Sequence, residues 1–297
     1  MNWTHVRLIA TSSIPQTLRS GTGVVYAVFT LIFGLHSANL IVRQVETLGA
    51  TRFTGWVETA LNFLLASVTL QGKTTELPEL EKFGGLDNIH AWAEYLLREQ
   101  PALLSAVFIL QALLVPLFVS SGAFNQLAGD LQHGAVRYQL LSTSRSSLFF
   151  GRFLGMAVFT AALIVALTSV LVLFVGSQLD LYEWGDLIAW GVHCTFALIC
   201  ISLPYVAFCS WISAVVNSPF SALIFTGLII PAQPFLAIGA MNAWEPLGKL
   251  IYLMPWGVQF WLFHPDPAKV VFAALGCLAY TALFLFLGLY FFRKRDL

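Results

Sequence analysis

The sequence predicts an all-α polytopic integral membrane protein with six transmembrane helices, and three observations carry that prediction. Hydrophobic residues make up 58% of the 297 residues and charged residues only 10%. Mean hydropathy is +0.79, far from the balance of soluble domains. The apolar residues fall in runs of roughly 20 or more, the length that crosses the hydrocarbon core of a bilayer. Such runs must satisfy their own backbone groups within lipid, which means helices rather than barrel strands.

Taken in order, residues 1–20 come first, with Trp3, Val6, Ala10 and Leu18 near one helical face and Arg7 and Arg19 elsewhere. That pattern predicts a helix lying in the membrane interface, bent or ended by Pro15; a frayed tail is the alternative. Six apolar segments follow, at 23–43, 102–122, 153–176, 186–212, 219–240 and 268–292. The first starts too late and runs too long for a cleaved secretory leader, so it is expected to remain as the first span.

Orientation follows from Lys and Arg, which are retained on the cytoplasmic side. With the N-terminus inside, that side carries Arg7, Arg19, Arg137, Arg145, Arg152, Arg293, Lys294 and Arg295 against only Asp130 and Asp296. The opposite side carries nearly as many basic residues but most of the acids, so the density of charge in short loops and the Arg293-Lys294-Arg295 cluster decide the matter. Both termini are expected in the cytoplasm, and the bilayer is expected to be a bacterial inner membrane. The zero formal net charge hides this asymmetry, and no basic stripe suggests nucleic acid.

The polar stripe His36, Asn39 and Arg43 closes the first span. It marks either a pathway or interface inside a bundle or residues snorkelling at the outer headgroups. Residues 44–101 form the largest external insertion. Phe53, Trp56, Val57, Ala60, Leu61 and Leu64, and then Ile89, Trp92, Ala93 and Leu96, repeat at helical spacing around an acidic linker. They predict two amphipathic helices, packed on the bundle or offered to an external partner. The second external connection, 240–267, holds Trp244, Tyr252, Trp256 and Trp261, which suit a membrane interface. Its prolines at 246, 255, 265 and 267 forbid one long helix, so short interfacial or re-entrant helices are expected. Pro231 and Pro234 predict that the fifth span breaks before leaving the membrane.

No phosphate loop, nucleophile elbow, metal-binding His pair or dinucleotide fingerprint occurs in the sequence. Any nucleotide chemistry therefore belongs to another chain. Cys194, Cys200, Cys209 and Cys277 all fall in apolar spans, where a free thiol acts as a small hydrophobe, and His193 beside Cys194 lacks ligand spacing.

The segment 123–152 between the second and third spans is the sizeable polar stretch expected inside. Asp130 is followed four residues later by Gly134, then Leu140-Leu141, Ser142-Thr143-Ser144, Arg145 and Gly151-Arg152. This order resembles the permease subunits of type-2 ATP-binding-cassette (ABC) exporters, with two departures. No proline occurs in the Ser/Thr stretch, and Arg152 stands where that family usually has Lys. The six-span layout, interfacial N-terminal segment and broken external helices are similar as well. The resemblance implies a permease without catalysis or cofactor of its own. Two ATPase subunits, which hold ATP and Mg, and a second permease chain are its implied partners.

Asp130, Gly134, Arg137, Arg145 and Arg152 are then the ATPase-coupling residues. Physically, Asp130 suits a helix N-terminus, Gly134 permits close backbone approach, and Arg137 and Arg145 offer donors to a partner's carboxylates. An ordinary positive-inside loop meeting lipid phosphates is the competing reading. Two further functions stand as alternatives. A secondary transporter would want ionisable groups at mid-membrane, where this chain has few, and a noncatalytic anchor for an external complex would use 44–101.

Overall fold

A computed structural model describes residues 2–48, 95–178 and 182–295. Among these residues the chain is helical with no strand, and six helices are long and apolar enough to cross a membrane. The two helices expected within 44–101 lie outside the described residues, apart from the ends of that segment.

Helix α1 (Trp3–Arg19) is capped by Asn2, whose side chain accepts the N–H of Thr4. Pro15 sits inside α1 and does not end it. The carbonyl that the missing N–H orphans is that of Thr11, an exposed residue. The face of α1 buried against protein is Val6, Ala10 and Ser13, which takes in two of the four residues of the apolar face, while Trp3 and Leu18 stay exposed. Shape explains this outcome, because α1 packs on the third span through small side chains and its large ones project outward.

Helix α2 (Gly21–Leu48) is the first span. A π-helical turn at Tyr95–Glu99 leads into α3 (Ala102–Ala123), and two short helices follow, α4 (Ala128–Gln132) and α5 (Ala135–Leu140). The remaining spans are α6 (Arg145–Gln178), α7 (Trp184–Val215), α8 (Pro219–Ala243) and α9 (Pro267–Lys294). Three 3-10 helices, Glu245–Leu253, Pro255–Gly257 and Gln259–Phe263, separate α8 from α9.

The core forms around α7, which packs against α3, α6, α8 and α9. Its apolar window is 72% buried, against 67% for α3 and 33% for α2, so α2 is more peripheral. Packing in lipid gains nothing from hiding apolar surface, so close approach of small residues decides it. The four cysteines are free and buried in this core.

Helix α8 continues through Pro231 and Pro234, against the predicted break. Pro234 has no N–H for the carbonyl of Ile230, and the indole N–H of Trp256 donates to that carbonyl instead, at 3.1 Å. The connection after α8 is indeed short helices, but it folds into the bundle. Trp256 is 8% exposed, so it belongs to the core and not to the interface, whereas Trp244 is exposed. The Tyr205 hydroxyl donates to Gln259 Oε1 at 2.9 Å, and His193 Nε2 lies 2.8 Å from the carbonyl oxygen of Leu262.

Both chain ends reach the same end of the bundle. The Asn2 N–H donates to Ser147 Oγ at 3.2 Å, and Arg145 donates to the carbonyls of Arg293 and Arg295, each at 2.8 Å. Ser147 and Arg145 open α6, so α4 and α5, which precede it, lie at this end too.

Candidate functional site

The site is built on the short helices α4 and α5. An α4 of five residues has too few internal bonds to hold itself, and α7 holds it from outside. The N–H groups of Leu127 and Ala128 both donate to the buried Ser213 Oγ, at 2.8 and 2.9 Å. Ser210 Oγ donates to Gln126 Oε1 at 2.7 Å. Nothing in the sequence pairs Ser213 with residues 85 and 86 positions away, and these serines were not among the expected site residues.

Asp130 lies in the first turn of α4 and accepts from Arg152 Nη2 at 2.5 Å. Arg152 Nη1 donates to Gln16 Oε1 of α1 at 2.8 Å. One guanidinium therefore joins α1, α4 and α6. The Arg152 side chain is 15% exposed, and its Nε is buried without a partner.

Gly134 is the hinge between α4 and α5, with φ of 69°. A Cβ there would meet nothing within 4 Å. The glycine serves a left-handed turn, and no described part of this chain comes close to it. Close approach occurs instead at Gly151 and Gly155, where α1 lies against α6. A Cβ on Gly155 would be 2.5 Å from Ser13 Oγ and 2.9 Å from the Ala10 carbonyl oxygen.

Arg145 does not reach outward. As the first residue of α6, it donates to the carbonyls of Arg293 and Arg295 and, at 3.5 Å, of Phe292. These belong to the open C-terminal end of α9, where unsatisfied carbonyls favour a cation. Arg295 does the same for α7, donating to Ala214 at 2.7 Å and Val216 at 3.2 Å. Burial lowers its guanidinium pKa. Arg293 closes the set on Ser146 Oγ at 2.7 Å.

What α5 offers outward is one small patch. Val136 is buried among Leu148, Phe149 and Phe292, while Leu140 packs against the same cluster. Arg137 is exposed, and its side chain makes no hydrogen bond or ion pair among the described residues. Tyr138 and Leu141 are 77% and 86% exposed, Tyr138 next to Arg137 and Leu141 one helical turn beyond it. The Leu140-Leu141 pair thus divides, one residue holding the helix and the other projecting. Tyr138 was not singled out in the sequence, because an isolated tyrosine in a polar stretch carries no pattern.

His36, Asn39 and Arg43 occupy the later turns of α2, at the far end of the bundle from Asp130; His36 and Arg43 are exposed and Asn39 is half-buried. Beside Arg152, an open polar cleft is lined by Gln16, Ser20 and Thr22 and by Asn125 and Gln126. No group of three or more His, Cys, Asp or Glu side chains suited to a metal occurs among the described residues. No protein-family model matches the chain, and no curated protein is significantly similar to it.

Proposed function

We propose that this chain is the transmembrane subunit of an ATP-binding-cassette exporter, working as two permease chains with two separate ATPase subunits. It resides in a bacterial inner membrane with both termini cytoplasmic. ATP and Mg are bound by the ATPases, and this chain carries no catalysis. The observation that supports the reading is the division of labour in α4–α5. One face is fixed to α1, α6 and α7 through Arg152 and Ser213, while Arg137, Tyr138 and Leu141 project from the other. A short element rigid on one side and sticky on the other suits transmission of a partner's motion. The described spans carry no Asp, Glu, Lys or Arg near their middles, and His36 and His193 are the histidines within them, which leaves a secondary transporter few coupling-ion residues.

The test is co-purification with a co-expressed ATP-binding-cassette ATPase from the same genome. Arg137→Glu should lose the ATPase while inserting and folding normally, and Arg7→Glu, on the outer face of α1, should not. Equal recovery of the ATPase with wild type and with Arg137→Glu, or ATP hydrolysis by the purified chain alone, overturns the reading.

A further inference from the structure

The bundle interior holds a polar feature that the coupling site does not use. Gln111, near the middle of α3, is 2% exposed, and neither Oε1 nor Nε2 of its amide has a hydrogen-bond partner. Thr30, near the middle of the α2 span, is 6% exposed, and its Oγ1 is also unpartnered. Both line one cavity enclosed by α2, α3, α6 and α7. Counted from Ala102 at 1.5 Å per residue, Gln111 lies about 14 Å into its helix, close to the centre of a hydrocarbon core about 30 Å thick.

An unpaired amide at that depth is costly, and intramembrane polar groups generally face a cavity or a ligand. No ionisable Asp, Glu, Lys, Arg or His lines the cavity, so nothing would compensate an ionised group there. Apart from Tyr26, the remaining wall is apolar, including Phe33, Phe118 and Leu167. In this conformation there is room beside Gln111 for one water-sized group, the size of a hydroxyl or the end of an amide. Phe118 meets the rings of Phe33 and of the exposed Phe29, each with centroids 5.4 Å apart. This aromatic cluster leads from the cavity toward the outer face of α2.

We propose that this cavity binds the uncharged hydrogen-bonding head of an amphipathic molecule, a hydroxyl or amide held by Gln111 and Thr30, with its apolar tail passing between α2 and α3. The head satisfies the donor and acceptor of Gln111, and the tail replaces contacts of the aromatic cluster. Less of the α2 window is buried than of α3 or α7, so α2 is the wall that yields to a tail. Calling the occupant cargo rests on the permease reading; the binding site does not.

The test is photolabelling of the purified full chain in phospholipid nanodiscs with a diazirine-bearing octanol, the adducts being mapped by mass spectrometry. Adducts are expected around Phe33, Phe118 and Leu167, competed by 1-octanol and octanamide and poorly by octanoate and octane. Gln111→Leu should weaken labelling by roughly tenfold, the worth of one or two hydrogen bonds, and Thr30→Val by less. Gln111→Leu removes an unpaired polar group, so its melting temperature should hold or rise, which separates lost binding from lost folding. Equal labelling of Gln111→Leu, competition by octane as strong as by octanol, or adducts confined to exposed residues overturns the site. No ATPase is present in this experiment, so its failure leaves the coupling reading standing, and failure of ATPase co-purification leaves the site standing.

Discussion

Arg137 and Arg145 look equivalent in the sequence, and the structure separates them by a measurable free energy. Arg145→Glu removes two 2.8 Å donations to the terminal carbonyls of α9 and a weak one at 3.5 Å. Hydrogen bonds to charged groups are worth about 1.5–3 kcal/mol each, and the half-buried setting argues for the lower end, giving about 3 kcal/mol for the two short bonds. The new carboxylate also faces the negative end of α9, for roughly 0.5 kcal/mol more. At about 2–4 °C per kcal/mol, thermal unfolding in detergent should fall by about 7–14 °C. Arg137→Glu, at an exposed side chain with no bonds to lose, should stay within about 0.5 kcal/mol of wild type. Arg145→Lys should fall between, since one ammonium does not span the carbonyls a guanidinium fork reaches. A melting temperature for Arg145→Glu indistinguishable from that of Arg137→Glu would refute the carbonyl clamp.

Two further predictions follow from close contacts. Gly155→Leu places side-chain atoms where Ser13 and Ala10 of α1 already sit, so α1 should detach and trypsin should cut at Arg7 and Arg19 faster than in wild type; unchanged digestion would mean that α1 is not held there. Trp256→Phe keeps the ring but orphans the Ile230 carbonyl, costing about 1–3 kcal/mol. Adding Pro234→Ala restores the helical N–H and should recover most of that loss, and a double variant no better than Trp256→Phe would show that the indole bond is not what makes Pro234 tolerable.

The spans were legible because lipid permits a narrow choice of structure, and apolar length marks it plainly. Their ends were less so. Helix α6 begins at Arg145, well before the expected 153, because Arg145, Ser146 and Ser147 read as loop residues. Their polar groups are satisfied by chain far away in sequence, at Arg293, Arg295 and Asn2. Pro231 and Pro234 read as a break for the same reason, since the donor that repairs the ladder is 26 residues from the carbonyl it serves. Within the site, the residue types of Asp130 and Arg152 were visible, but their pairing across 22 residues was not. Gln111 stands alone among apolar neighbours in the second span, and only its lack of partners in the fold gives it meaning.

The connections at the basic end close on themselves. Helix α4 is fixed to α7 by Ser213 and to α6 by Asp130–Arg152; α6 is fixed to α9 by Arg145; and α9 returns to α7 through Arg295. Under the proposed coupling role, a push delivered to Arg137, Tyr138 and Leu141 therefore moves α6, α7 and α9 together, and α3 follows because it runs directly toward α4. Helix α2 makes no hydrogen bond to α4 or α5 among the described residues and joins this circuit through α1, which Gln16 ties to Arg152. Under the same role, a stroke that shifts α3 with α4 past α2 would act on the cavity that Thr30 and Gln111 line. A nucleotide-driven stroke at the basic end and a change in access to the interior cavity would then be two views of one displacement. Bridging cysteines substituted for the contacting Phe29 and Phe118 with a short bifunctional thiol reagent should leave ATPase docking intact and abolish competition by octanol at the cavity, whereas the same cysteines unbridged should retain it.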